Sequence, residues 1–187
     1  MKLIFYFLIF FVADATKTSR CSLRSPRWEN LDLLEEEGFP YTTKLLKGGK
    51  KVLLTDSIVG VHDAMRVCEA VCGKLFLPRS ANENQEAADF IRANGATHVW
   101  LRTSDRYEEG TWKDLDTLED IKYTNWSRGD PNNWDGVQDY VVMNKYGRWN
   151  DFYQYADNSD FCFSMECLTY VSILCELPAK IQIKNRD

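Results

Sequence analysis

The chain has 187 residues, of which 44% are hydrophobic, and this is about the size of one domain with a real core. Its formal net charge of −5 argues against a nucleic-acid-binding surface, because such surfaces cluster Lys and Arg to neutralise phosphates. The chain contains two His residues, His62 and His98, which argues against a His-based triad, and we do not expect an enzyme.

The amino terminus is typical of a secretory signal peptide. Lys2 precedes the apolar run Leu3–Val12, and Ala13-Asp14-Ala15 supplies small residues for cleavage, so we expect residues 1–15 to be removed near Ala15. The apolar run is too short to span a membrane, and the mature protein is expected to be secreted and extracellular. Six cysteines in a secreted chain then indicate disulfides rather than metal thiolates.

The residues between the signal peptide and the main domain are polar and mixed. Around Leu31–Glu37 a short amphipathic helix is predicted, but two turns cannot sustain a coiled coil. Because there is no Gly-x-y repeat, residues 16–46 are interpreted as a short neck or tail rather than a collagen stalk. Residues 180–187 are interpreted as a C-terminal tail.

Two helices are predicted in the first half of the domain. A strand at Lys51–Thr55 is followed by Asp63–Cys72, which places apolar residues at helical spacing. The second helix starts at a capping box formed by Ser80 and Glu83, and it stops at Asn94-Gly95.

Short strands and long loops dominate the second half. Strands are predicted at His98–Leu101 and Tyr140–Met143, with turns at Glu109-Gly110, Arg128-Gly129 and Tyr146-Gly147. The predicted fold class is α+β, with two helices against small antiparallel β-sheets and a long loop region that carries the site. Three tryptophans are interpreted as core residues: Trp100, Trp112 and Trp126.

Hard oxygen donors are concentrated between Tyr123 and Asp151. They lie among aromatic residues, without His or a Cys pair, and this donor type suits calcium rather than a transition metal. Pro131 fixes the local backbone and favours an extended or turn conformation before it. The donors are Asp130, Asn132, Gln138, Asp139, Asn150 and Asp151.

Three short motifs in this region resemble the calcium and sugar loops of the C-type lectin domain family. They are Asp130-Pro131-Asn132, Gln138-Asp139 and Trp149-Asn150-Asp151, and their order and spacing matter more than any one of them. Together with Cys68 on a helix and the terminal Ile173–Glu176, the resemblance covers residues 47–179. Within the family, the chain is most similar to soluble collectin-like lectins, although it has no collagen repeat.

The resemblance implies a principal calcium ion that is also part of a sugar site. Five side chains leave room in a calcium shell of six to eight oxygens for two adjacent sugar hydroxyls. A second calcium ion is implied at an auxiliary site, for which solvated loop carboxylates are the alternative interpretation. The principal set is Asp130, Asn132, Gln138, Asn150 and Asp151, and the auxiliary set is Asp105, Glu109, Asn133 and Asp139.

The order of an acid, Pro131 and Asn132 resembles the motif of the family members that bind mannose, fucose and N-acetylglucosamine. Galactose binders usually have Gln-Pro-Asp instead. The implied function is therefore a calcium-dependent lectin for mannose-type glycans on microbes or glycoproteins. Asp130 and Gln138 both stand where the family commonly has Glu, and Gln138 removes a charge, so weaker calcium binding is expected. The alternative is a C-type lectin-like domain that has lost sugar binding and binds a protein, lipid or mineral surface.

The resemblance also implies disulfides. Cys68 and Cys175 match the family's long-range pair, and Cys162 is placed with Cys167 because Tyr140 stands at the usual partner's position. Cys21 and Cys72 would then pair with each other or join chains into a homo-oligomer, and pairing of Cys72 with Cys162 or Cys167 stays open. Separately, Asn125-Trp126-Ser127 is an N-glycosylation acceptor triplet at Asn125.

Overall fold

A computed structural model describes residue 34 and residues 40–55, 60–154 and 171–178, and the statements below concern these residues. The elements with described bounds are two α-helices, one short 3-10 helix (Trp134–Gly136) and eight strands. The helices are α1 (Val61–Ala70) and α2 (Ala81–Ala93). The strands are β1 (Tyr41–Leu45), β2 (Lys51–Thr55), β3 (Lys74–Leu75), β4 (His98–Ser104), β5 (Lys113–Asp114), β6 (Tyr140–Asn144), β7 (Trp149–Phe152) and β8 (Val171–Leu177).

Local sequence signals account for both helices. On α1 the buried residues Val61, Ala64 and Cys68 recur at helical spacing and face the core. The N-cap of α2 is Ser80, whose hydroxyl accepts a hydrogen bond from the Glu83 N–H as predicted. The Glu83 carboxylate accepts from the Arg79 N–H at 2.9 Å, one residue earlier than in the predicted reciprocal box.

The strands form one mixed sheet in the order β1-β2-β8-β4-β6-β7, with β3 paired to β8 and β5 paired to β4. Every pairing is antiparallel except that of β4 with β8, where His98 lies opposite Val171 and Val99 opposite Ser172. This parallel contact joins the small antiparallel sheets that were predicted into a single sheet. The strand β1 was not predicted, and it falls within residues 16–46, the segment interpreted as a neck or tail.

The core lies on both faces of this sheet and contains most of the tryptophans. Trp100 and Trp149 are fully buried and Trp112 is 8% exposed, while Trp126 packs against the same cluster. The prediction that Trp100, Trp112 and Trp126 serve the core is therefore confirmed. Trp149 anchors the region next to the site, because its ring N–H donates to the buried Asn84 side chain at 2.7 Å.

One predicted disulfide is present and others fall outside the described residues. Cys68 on α1 and Cys175 on β8 are joined across 107 positions, as predicted. Cys72 is also disulfide-bonded, and its possible partners in the chain are Cys21, Cys162 and Cys167, which lie outside the described ranges. The Cys162–Cys167 pairing, the signal peptide and the C-terminal tail likewise lie outside them. Among the helices that the structure describes, none has the length and apolar character needed to cross a membrane.

Candidate functional site

The predicted ligands of the principal site lie on a long loop before β6 and on β7. Residues 125–127 run beside β7, where Trp149 N donates to the Asn125 carbonyl at 3.0 Å and Ser127 N donates to the Trp149 carbonyl at 2.7 Å. A turn then forms as Asp130 N donates to the Ser127 carbonyl at 3.2 Å. This pairing brings the loop carboxylate of Asp130 next to the strand residue that follows Trp149.

Asp130 is held by two amide side chains. One of its carboxylate oxygens accepts from the Asn132 side-chain amide, and the other accepts from the Asn150 side-chain amide. Ser127 in turn donates to the Asn150 amide oxygen at 3.2 Å. Burial raises the pKa of Asp130, the nearby Asp151 carboxylate raises it further, and the two amides oppose this rise. The peptide bond between Asp130 and Pro131 is cis.

Asp151 connects β7 to the turn that contains Asn132. The residue is 2% exposed, and its Oδ2 accepts from the backbone N–H of Asn132 at 2.8 Å and of Asn133 at 2.5 Å. Its Oδ1 is buried and has no hydrogen-bond partner among the described atoms. A buried carboxylate oxygen without a partner is costly, so this atom marks a position where a cation or a donor would be favourable.

Gln138 joins the principal set through a neighbouring turn. Its amide oxygen accepts from the Trp134 N–H at 2.7 Å, and its own backbone N–H donates to the Asn133 side-chain oxygen at 3.1 Å. Asn133 and Asp135 both have left-handed backbones, with φ of 42° and 63°, which Asn and Asp tolerate better than most residues. Four of the five predicted ligands are thus linked directly by hydrogen bonds, and Gln138 is linked through this turn.

The predicted auxiliary residues meet in pairs beside the principal set. Asp105 follows β4, and its backbone N–H donates to the Asp139 carbonyl at 3.2 Å. The Asn133 side-chain amide donates to the Glu109 carboxylate. Because Asn133 also donates its backbone N–H to Asp151, it links the auxiliary set to the principal set.

Asp105 has the most strongly perturbed carboxyl of this region. The residue is 3% exposed, its Oδ2 accepts from the Gly110 N–H at 2.9 Å, and its Oδ1 is buried without a partner. Burial raises the pKa of Asp105 to about 6, and the charges of Glu109 and Asp139 also raise it, against the Gly110 hydrogen bond. This is the behaviour of an acid in a site that lacks compensating positive charge.

The two sets fit calcium in the chemistry of their atoms. Their side chains offer only carboxylate and amide oxygens, which are the ligands calcium takes, and each set includes one buried carboxylate oxygen without a partner. Within the described ranges, however, no three or more His, Cys, Asp or Glu side chains are grouped so that they could hold a metal ion. The principal set contains two carboxylates, so amide oxygens are needed to complete it.

A second hydrogen-bond group lies beside the auxiliary set and was not predicted. The Tyr140 hydroxyl lies 3.1 Å from His62 Nε2 on α1 and accepts from Arg106 at 3.3 Å. Tyr140 stands where the family resemblance placed a cysteine, and here its ring packs edge-on against His62 with centroids 5.5 Å apart. These partners are 78 and 34 positions away in the chain, so no local pattern could have indicated them.

Trp134 is an exposed residue beside the candidate site that the sequence interpretation did not single out. Its side chain is 53% exposed, although it lies between Asn132 and Gln138. The signal was available, because a Trp flanked by Asn133 and Asp135 in a turn has no apolar periodicity that would bury it. Asn125, the glycosylation candidate, uses its side-chain amide to donate to the Gly147 carbonyl at 2.6 Å.

A family model described as the lectin C-type domain matches residues 58–177. The chain is 35% identical to pulmonary surfactant-associated protein D of Bos taurus over 104 residues. The matched segment makes up 55% of this chain and 28% of that protein. The chain therefore spans less than a third of that relative's length.

Solved structures share the same fold. The carbohydrate-recognition domain of mouse scavenger receptor C-type lectin is 27% identical, with a TM-score of 0.51 over 67% of this chain and 87% of that chain. The C-type lectin CEL-I of Cucumaria echinata is 21% identical, with a TM-score of 0.57 over 70% of this chain and 91% of that chain. At that identity the second likeness concerns the fold alone, and both agree with the predicted α+β class.

Proposed function

Because the chain belongs to the C-type lectin domain family, we propose that it is a secreted, calcium-dependent lectin that binds mannose-type glycans. Proteins of this family bind carbohydrate and are not enzymes, which confirms the expectation that this chain is not one. The observation that carries the proposal is the buried Asp151 oxygen without a partner, which lies in the cluster that also holds Asp130, Asn132 and Asn150.

In this proposal the principal calcium ion would be held by Asp130, Asn132, Gln138, Asn150 and Asp151. The auxiliary ion would be held by Asp105, Glu109, Asn133 and Asp139. Bound calcium supplies a Lewis-acid centre with coordination positions that two adjacent hydroxyls can fill. A bound ion would also offset the burial and the neighbouring carboxylate charges that raise the pKa values of Asp105 and Asp130.

The side chains of the principal set have a second role in recognising the sugar. The Asn132 and Asn150 amides, which donate to Asp130 in this structure, have N–H groups that can donate to a sugar hydroxyl, and the carboxylates can accept from one. A mannose-type ligand is supported by the order of an acid, Pro131 and Asn132. Secretion is supported by the predicted signal peptide at residues 1–15.

The first prediction tests metal and sugar together with a matched pair of variants in the same region. Asp151→Asn removes a charge from the principal set, while Asp135→Asn makes the same change at a residue outside it. Wild-type protein and D135N should be retained on mannose-agarose in calcium and released by EDTA, and D151N should not be retained. Galactose-agarose is the control resin, and it should retain none of the three.

The calcium contribution is measured separately by thermal unfolding. A ligand at about a hundred times its Kd stabilises a protein by about 2.7 kcal/mol, so calcium should raise the Tm of wild type and D135N by several degrees. The shift should be smaller in D151N and in a second variant, Asn150→Ala, because only the auxiliary site would then contribute. Failure of wild-type protein to bind the mannose resin contradicts the lectin proposal. A calcium shift without sugar binding instead supports the alternative of a domain that kept the metal and lost the sugar.

A further inference from the structure

Three exposed apolar side chains lie on the candidate calcium loops. Tyr107 is 61% exposed, Trp134 is 53% exposed and Val137 is 48% exposed. Tyr107 lies between the auxiliary residues Asp105 and Glu109, and the other two lie between Asn132 and Gln138. These three residues are called the apolar rim below. Large apolar groups that are exposed together beside a polar site indicate a surface that becomes covered on binding.

The two loops that carry the apolar rim are tied together at both ends. At one end Asp105 N donates to the Asp139 carbonyl at 3.2 Å, and at the other the Asn133 amide donates to Glu109. Tyr107 lies between the ties on the first loop, and Trp134 and Val137 lie between them on the second. The rim residues therefore belong to one end of the domain, next to both sets of calcium ligands.

The composition of the rim fits a membrane surface better than a bare sugar ring. A tryptophan alone can stack on the apolar face of a sugar, but a branched aliphatic side chain such as Val137 has no flat face for this. One face of Tyr107 is covered by the Arg106 guanidinium, 4.5 Å from the ring centroid. Trp and Tyr are enriched at membrane interfaces, where one end of the ring is apolar and the other is hydrated, and Arg suits the phosphate groups there.

We propose that the glycan bound by this site is linked to a lipid, and that the apolar rim inserts into the membrane that carries it. The proposal rests on the lectin function proposed above and adds the chemical class of the ligand. The polar set holds the sugar head group, while Trp134 and Val137 enter the boundary between head groups and acyl chains. Arg106 lies at the level of the lipid phosphates.

Vesicle binding tests this directly. Phosphatidylcholine vesicles that contain a mannosyl lipid should bind wild-type protein in calcium, and plain phosphatidylcholine vesicles should bind it at least tenfold more weakly. The double variant W134S/V137S should lose at least tenfold in affinity for the mannosyl vesicles and keep its retention on mannose-agarose. The control Tyr146→Ser changes a residue that is 64% exposed in the β6–β7 turn, and it should keep both activities.

Fluorescence locates the inserted residue. Among the described tryptophans Trp134 is the exposed one, whereas Trp100 and Trp149 are fully buried, so brominated acyl chains should quench mainly Trp134 on binding. The conservative variant W134F should still bind the vesicles but lose most of the quenching. Unchanged vesicle affinity of W134S/V137S, or no quenching of bound wild type, overturns the proposal.

The remaining outcomes separate this proposal from the one on which it rests. Wild-type protein that binds mannose-agarose but not the mannosyl vesicles overturns the lipid-linked ligand alone. If W134S/V137S loses as much affinity for soluble mannosylated albumin as for the mannosyl vesicles, the lipid-linked ligand is overturned as well, because the rim then contacts the sugar or a protein. Wild-type protein that does not bind mannose-agarose contradicts the lectin function on which this proposal rests.

Discussion

Arg102 is a charged residue inside the core, and its partners make this possible. It is 3% exposed, and its guanidinium donates to both carboxylate oxygens of Asp114, at 2.9 and 3.1 Å, and to the Leu75 carbonyl at 2.7 Å. Burial alone would raise the pKa of Asp114, but the hydrogen bonds from Arg102 and the Asp116 N–H lower it overall. Removing Arg102 would leave the buried Asp114 with the exposed Arg79, 3.0 Å away, as its charged partner, and removing Asp114 would leave Arg102 with Glu176 at 3.8 Å.

No local pattern in the sequence could have named a partner for Arg102. Asp114 is 12 positions away, on a two-residue strand without any periodic pattern. The candidate ligands around Pro131 could be grouped from the sequence for the opposite reason, because most of them are close together in the chain and share one donor chemistry. Their role as ligands stays a prediction, and contacts such as Tyr140 with His62 required the fold.

His98 makes the stability of the protein depend on pH. Burial and, to a smaller extent, the charge of Lys145 lower the pKa of His98 to about 4, whereas an unfolded His titrates near 6.5. Between these values the unfolded state binds more protons, so the free energy of unfolding falls as the pH falls from about 6.5 towards 4. The stabilisation is fully present above about pH 6.5. We expect His98 to account for up to about 3 kcal/mol of the fall in the free energy of unfolding as the pH is lowered.

The measurement is the free energy of unfolding in urea, for wild type and His98→Gln, across this pH range without calcium. The advantage of wild type over H98Q should shrink as the pH falls. Asp105 acts in the opposite direction, because its raised pKa of about 6 favours the folded state at low pH, but it is present in both proteins and cancels in the difference. A difference that does not change with pH contradicts the prediction.

The turn between β6 and β7 anchors the loop region to the second helix. The carbonyl of Gly147 accepts from the buried Asn84 of α2 at 2.9 Å and from Asn125 at 2.6 Å. Gly147 has φ of +80°, and a Cβ atom there would lie 2.6 Å from the Asn84 side-chain nitrogen. Glycine is therefore required by both the backbone conformation and the contact with the helix.

The matched pair Gly147→Ala and Gly95→Ala separates these two requirements. Gly95 also has φ of +80°, but a Cβ atom there would meet nothing within 4 Å. G95A should cost about 1 to 2 kcal/mol for the left-handed backbone, and G147A should cost about 1 to 3 kcal/mol more because of the clash. Urea unfolding of both variants measures the difference. Equal losses would show that the helix contact has no energetic importance.

Elements with strong local signals were predictable, and elements defined by distant partners were not. The capping residue Ser80 and the stop at Asn94-Gly95 are local, and α2 lies between them as predicted. The predicted strand at Lys51–Thr55 agrees with β2 in both bounds. By contrast, β1 was missed, and the parallel pairing of β4 with β8 joins residues 73 positions apart, counted from His98 to Val171. Neither feature leaves a periodic signature in the chain.

At the scale of the whole molecule, the Cys68–Cys175 disulfide closes most of the domain into a single loop. A cross-link over 107 positions restricts the unfolded chain strongly, and loop-closure arguments give about 4 to 5 kcal/mol for this length. The double variant C68A/C175A should lose about this much stability. Urea unfolding of wild type and of the double variant, under oxidising and non-oxidising conditions, measures this loss of stability. The Cys72 disulfide should form in the variant as in wild type. A loss below about 1 kcal/mol contradicts the prediction.

The position of β8 in the sheet has a consequence for biosynthesis. This strand lies between β2 and β4 at the centre of the sheet, yet it follows every other described strand along the chain. While the ribosome is still translating residues 171–177, the two halves of the sheet have no common neighbour and their apolar faces stay open to water. We therefore expect the nascent domain to complete its folding only after release of this segment, and to need chaperone protection until then.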